Sequence, residues 1–205
     1  MGRLARLEPL NVERHATDLY AANSVDATVR MWTYLSYGPF ASFDAYVVWM
    51  QGINQGNDPL FYAIVDQAQG RAVGVAGYLR IDPANGVIEI GHLAYSPRLQ
   101  RTPVATETIY LMLDQVFRLG YRRCEWKCDA LNAPSRAAAH RLGFTFEGVF
   151  RQAAIYKGRS RDTAWYAILD RDWPGRRSGF QQWLDPANFD ERGRQRQRLA
   201  DCHRD

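Results

Sequence analysis

In the stretch SPRLQRTPVATETIYLMLDQVFRLG, residues 96–120, an amide, a guanidinium, a hydroxyl and a proline follow one another where an apolar strand gives way to a helix. A helix N-terminus leaves about four backbone N–H groups without intrahelical partners, and together with the macrodipole they attract anions, phosphates above all. Thr102 suits the cap and Pro103 the first helical position, where its missing N–H is no loss and its fixed φ fits the turn. Val104, Ala105 and Thr106 then present amides, Thr106 adds a hydroxyl and Arg101 a positive charge, a set that fits a pyrophosphate. The same residues also fit an ordinary helix start of the form T-P-x-x-[ST]-E that holds no ligand.

Just upstream, Glu89 is the one carboxylate in the apolar run VIEIGHLAY. A carboxylate in such a strand suits a general base that takes a proton through a water, and equally suits a structural partner of an arginine. His92, three residues on, is a second candidate base. Further along, Asn132 and Ser135 stand at the start of NAPSRAAAHRLG, where Ser135 either donates a proton in a reaction or satisfies its own helical turn.

The elements that must position these residues follow from periodicity. The first sixty residues read as mainly helical, with NVERHATDLYAAN and SFDAYVVWMQG as candidates and Ser42 as a cap. Between them, the aromatic segment VRMWTYLSYGPF offers Trp32, Tyr34, Tyr37 and Phe40 as pocket walls or as core, and Tyr156 carries the same two readings. LFYAIVD, AVGVAGYLRI and VIEIGHLAY, separated by QAQG and DPANG, predict an antiparallel meander. A long helix follows, with Ala105, Ile109, Met112, Leu113 and Val116 on one stripe and Gly120 as its stop. RCEWKCD reads as a strand, NAPSRAAAHRLG as a short helix, and FTFEGVFRQ and DTAWYAILD as two closing strands. Strands and helices in this order predict an α/β (α+β) fold: one mixed, mostly antiparallel sheet of six to seven strands with helices on both faces.

The 205 residues suit one domain, residues 1–174, followed by a basic extension, residues 175–205, that is helical or partly disordered. Much of the net charge of +4 sits in Arg192, Arg194, Arg196 and Arg198, which fit an RNA-binding tail or a solvated terminus. No apolar run approaches the roughly 18 residues of a membrane span, and Met1 to Glu8 lacks a secretory signal, so the sequence predicts a cytoplasmic protein. Cys124 and Cys128, four residues apart on one strand, stand about 13 Å from each other, too far for a disulfide within that strand. His15, His92, His140 and His203 are scattered without zinc spacing, and no metal is expected.

Taken together, EIGHLAYSP, ATE opening the long helix, N-x-x-S-x-x-x-A-x-x-L-G-F, Glu147-Gly148 and GRSRDTAWYAI resemble the GNAT superfamily of acetyl-CoA-dependent N-acetyltransferases over residues 5–172. Within it they are similar to the branch of ribosomal-protein N-terminal acetyltransferases. The family's pyrophosphate motif Q/R-x-x-G-x-G/A maps onto Gln100, Arg101, Thr102, Pro103, Val104 and Ala105, with Pro103 in place of a glycine. The resemblance implies that the amides of Leu93, Ala94 and Tyr95 receive the acetyl and pantetheine carbonyls and that Asn132 contacts the pantetheine arm. The tyrosine that many relatives use as an acid is replaced by Ala139, and the serine of the ribosomal branch matches Ser135.

The implied activity is direct transfer of an acetyl group from acetyl-CoA to a primary amine, either a peptide α-amine or a small molecule; both a monomer and a homodimer are compatible with it. Two alternatives from other classes stand beside it: a non-catalytic acyl-CoA-binding regulatory domain, and a ribosome- or RNA-associated protein that works through its tail.

Overall fold

The computed structural model describes residues 1–53 and 55–203. Its seven strands lie in one sheet in the order β1-β2-β3-β4-β5-β7-β6, the mixed α/β arrangement expected from the sequence. The strands are β1 (Ala5–Pro9), β2 (Leu60–Asp66), β3 (Arg71–Asp82), β4 (Val87–Tyr95), β5 (Arg123–Asp129), β6 (Thr145–Tyr156) and β7 (Arg159–Leu169). Two compact units divide the chain: Met1–Ile81 with Glu89–Thr108, and Asp82–Ile88 with the residues from Ile109 onward.

The first unit begins with β1, which the sequence expectation of a helical start misses. Five residues are too few for alternation to show. The strand exists because it pairs antiparallel with β2, Ala5 opposite Asp66 through Pro9 opposite Tyr62. Helix α1 (Val12–Asn23) starts where the Asn11 side chain accepts the Arg14 amide at 2.9 Å, and α2 (Phe43–Ile53) where Ser42 Oγ accepts the Ala45 amide at 3.2 Å. Most of the aromatic segment goes to core. Trp32, Tyr37, Phe40, Tyr46 and Trp49 interlock with ring centroids 4.5–6.2 Å apart, packed with Leu19, Met50, Phe61 and Ala63.

The phosphate-suited helix is α3 (Pro103–Arg118). Ala105, Ile109, Met112, Leu113 and Val116 are all buried, as the stripe requires. Its end is a Schellman motif: Gly120 at φ +85° donates to Phe117 O at 3.1 Å, and Tyr121 donates to Val116 O at 3.3 Å.

In the second unit β7 pairs with both β5 and β6. The β6–β7 hairpin runs further than the sequence expectation. Lys157 and Gly158, at φ +48° and +72°, form a two-residue turn whose positive angles match the strand twist. A bulge hides the continuity: Phe150 faces Thr163 and Ala154 faces Arg161, and Gln152 donates its amide to Asp162 Oδ1 at 2.7 Å. Helix α4 (Ala133–Arg141) follows β5, and α5 (Trp173–Leu184) follows β7. The arginine-rich segment folds back on α5. Trp183 Nε1 donates to Gln195 Oε1 at 2.8 Å, and the short α6 (Leu199–Cys202) buries Leu199 and Cys202. Cys124, Cys128 and Cys202 are buried and in no disulfide among the described residues.

Candidate functional site

Strand β4 changes character along its length. Ile88, Glu89 and Ile90 are buried, whereas Gly91, His92 and Leu93 are half-buried. The break coincides with His92, whose φ of +50° lies in the left-handed region. For a residue with a Cβ that conformation costs roughly 1 kcal/mol. It interrupts the pleat immediately before Leu93, Ala94 and Tyr95, the residues expected to face an acyl carbonyl.

Beyond β4 the chain is tied tightly to β3. Ser96 Oγ donates to Val73 O at 2.5 Å. Leu99 is fully buried. It packs where Gly74 has no side chain: a Cβ there would come within 2.5 Å of Leu99 Cδ2. Gln100 donates its side-chain amide to Tyr95 O at 2.7 Å and its backbone amide to Ser96 O at 3.0 Å. Gln100 thus braces the turn through both of these groups.

Arg101 then takes φ +60°, left-handed like His92. Thr102 is the cap: its Oγ1 accepts the Ala105 amide at 3.2 Å and donates to Leu99 O at 2.7 Å. The set of donors left open to a phosphate is therefore narrower than the sequence suggests. The Ala105 amide and the Thr102 hydroxyl are used by the protein, and Thr106 is buried at 1 % exposure. Among the described residues, the amides of Arg101 and Val104 take no protein acceptor. The exposed Arg101 side chain supplies the charge. Pro103, where the family has glycine, needs no acceptor for an N–H it lacks.

Helix α3 is also held from behind. The buried Glu107 carboxylate accepts the amides of Arg3, Leu4 and Ala5 at 3.0, 2.6 and 2.6 Å, an arrangement with no signal in the local sequence.

Glu89 has the arginine partner that the sequence left open: Arg80 Nη1 lies 2.6 Å from Glu89 Oε2, with the Glu89 side chain 4 % exposed. His92 lies under Tyr37, stacked at 5.8 Å and 20°, and tilted at 5.0 Å from Phe61. Burial, and secondarily the Arg80 charge, push the imidazole pKa below its ordinary value, so the ring is neutral at pH 7.

A second group of candidates lies at the start of α4. Asn132 caps it by accepting the Ser135 amide at 3.1 Å, which leaves its side-chain NH2 to donate elsewhere. Ser135 Oγ accepts Trp126 Nε1–H at 3.0 Å and hydrogen-bonds the Cys128 thiol. Burial pushes that thiol's pKa up, opposed by Ser135, Arg161 and Arg136. Tyr156 donates to Asp129 Oδ2 at 2.8 Å, and burial with that bond pushes the phenol up to about 12. Sequence reasoning names Tyr156 but gives no sign of its partner. Among the described residues, no helix is long and apolar enough to cross a membrane.

Residues 5–145 match the family model described as an acetyltransferase (GNAT) domain. A GCN5-related N-acetyltransferase of Brucella melitensis is 46% identical, with a TM-score of 0.97 over 99% of this chain and 92% of that one. An uncharacterized N-acetyltransferase, p20 of Bacillus licheniformis, is 27% identical over 180 residues, 82% of this chain and 100% of the relative. The coenzyme A complex of RimL, a ribosomal L7/L12 alpha-N-protein acetyltransferase, shares the fold at a TM-score of 0.68 and 23% identity over 82% of this chain and 95% of that one.

Proposed function

The chain belongs to the GNAT family of acetyltransferases, and from that premise we propose that it moves the acetyl group of acetyl-CoA onto a primary amine by direct attack. The observation that carries this is the β4–α3 turn. A left-handed Arg101 and a self-capped Thr102 leave two amides and a guanidinium unclaimed at the start of a long helix, a suitable cradle for a diphosphate. Rigid anchoring by Ser96, Leu99 and Gln100 means that little ordering has to occur on binding.

Coenzyme A supplies the thioester and the thiolate leaving group. The residues of this chain do the rest. The amides after the His92 kink orient the acyl carbonyl and stabilise the charge that develops on its oxygen. Asn132 holds the pantetheine arm through its side-chain NH2, and Ser135 offers a hydrogen bond to the departing sulfur. RimL acts on the α-amine of a ribosomal protein, and a peptide α-amine is the acceptor class proposed for this chain.

Calorimetry with acetyl-CoA, and free-thiol release with a seryl tetrapeptide, phenethylamine and spermidine, test this proposal. Saturable binding and peptide-dependent thiol release are expected. Binding without release to any amine would favour a regulatory acyl-CoA-binding domain, and release with spermidine or phenethylamine alone would replace the peptide with a small amine.

A further inference from the structure

We infer that His92, and not Glu89, takes the proton from the acceptor ammonium; this rests on the transferase function proposed above. Glu89 is the obvious base by residue type, but its carboxylate is already held by a permanent cation, Arg80, at 2.6 Å and is almost sealed from solvent. To accept a proton it would have to give up the charge that the guanidinium stabilises.

His92 has the opposite situation. Its ring faces are covered by Tyr37 and Phe61, yet the residue is half-exposed. Among the described residues neither ring nitrogen has a hydrogen-bond partner, and neither is a buried polar atom. A lone pair is therefore presented to solvent from a ring fixed by stacking. The backbone is strained here, at φ +50°, in a region that glycine enters at no steric cost. A side chain kept at a position that disfavours one, next to the amides that receive the acyl group, has a reason to be there.

The groups facing the imidazole are Tyr37 from the segment between α1 and α2, Phe61 from β2, and the charge of Arg80 from β3, which is itself paired with Glu89. Burial and the Arg80 charge both disfavour imidazolium, so the base is in its accepting form at neutral pH.

The step balances without any further reagent. His92 removes one proton from R–NH3+ and passes it to water. The amine nitrogen forms the C–N bond, the C–S bond breaks, and the second nitrogen proton leaves with the thiolate as coenzyme A thiol. No oxidation or reduction occurs.

The test compares the parent protein with H92Q, H92A and E89Q. Acetyl-CoA affinity is read by calorimetry, and thiol release from pH 5 to 9 with the seryl tetrapeptide, phenethylamine and spermidine. Loss of a general base costs about 10²–10⁴ in turnover, so H92Q is expected to lose at least about 100-fold in kcat with acetyl-CoA affinity within about twofold. The acid limb of the pH profile is expected to vanish in H92Q and persist in E89Q. Added imidazole is expected to restore part of the turnover of H92A, which a packing role for the ring would not allow. An H92Q protein with kcat within threefold of the parent and an intact acid limb overturns the assignment, as does loss of that limb in E89Q. If the parent binds acetyl-CoA but acetylates none of the three amines, the transferase proposal itself falls and this inference with it.

Discussion

Helices α3 and α4 start with the same ingredients, a polar cap and a proline in the first turn, yet only one start leaves amides exposed for a ligand. At α4, Asn132 caps Ser135, Arg136 donates to Asn132 O at 3.0 Å, and Ser135 is locked to Trp126. At α3, Thr102 caps Ala105 in the same way, but the residue before the cap is left-handed and the turn is pinned to β3 by Ser96 and Leu99. A capping residue and a proline specify a helix start; whether that start binds an anion depends on the conformation that enters it and on what holds it rigid.

That contrast can be broken at several points. The largest effect is expected from Glu107→Ala, which leaves three amides, that of Ala5 buried, without their charged acceptor. A loss of about 3 kcal/mol in stability is predicted from the cost of unmade buried hydrogen bonds, read by denaturant unfolding. Next comes Gly74→Ala. Its methyl would meet Leu99 Cδ2 at 2.5 Å and Ala94 O at 3.1 Å, so overpacking should cost about 2 kcal/mol and displace the turn, lowering acetyl-CoA affinity in calorimetry.

Arg101→Glu separates binding from folding. It should weaken acetyl-CoA by about tenfold, equivalent to about 1.4 kcal/mol, while unfolding stability shifts by no more than about 0.5 kcal/mol. The companion Arg101→Gly sharpens the comparison, because it relieves the left-handed strain and so raises stability while still removing the charge. The smallest effect is assigned to Asn132→Ala at the self-satisfied helix start. It should lose about 1 kcal/mol of helix capping with a weaker effect on acetyl-CoA affinity than Arg101→Glu.

Much of this architecture is legible in the sequence. The apolar stripe of α3, its Gly120 stop, the meander of β2 to β4 and the Asn132 cap all follow from local periodicity and cap chemistry. The family motifs point to the turn proposed to hold the diphosphate. What escapes local reading is decided by partners distant in sequence. Strand β1 exists because β2 pairs with it, and Glu107 faces inward because Arg3 to Ala5 need an acceptor. Glu89 meets Arg80 across a strand register that the run VIEIGHLAY does not encode.

The site itself follows the same division. Residue types at 100–106 suggest an anion site, but they overstate the free donors, because the Thr102 hydroxyl consumes the Ala105 amide and Thr106 turns inward. The left-handed conformation of Arg101 has no signature in sequence, and that of His92 has only the mild preference of histidine for this region. Both appear only once the chain has folded around them.

The most direct measurement follows the backbone amide resonances of Arg101 and Val104 by nuclear magnetic resonance during titration with coenzyme A and, separately, with pantetheine, which lacks the diphosphate. Both amides are predicted to shift with coenzyme A and to stay in place with pantetheine. Resonances unmoved by coenzyme A, or moved equally by pantetheine, would contradict the assignment of the diphosphate to this turn.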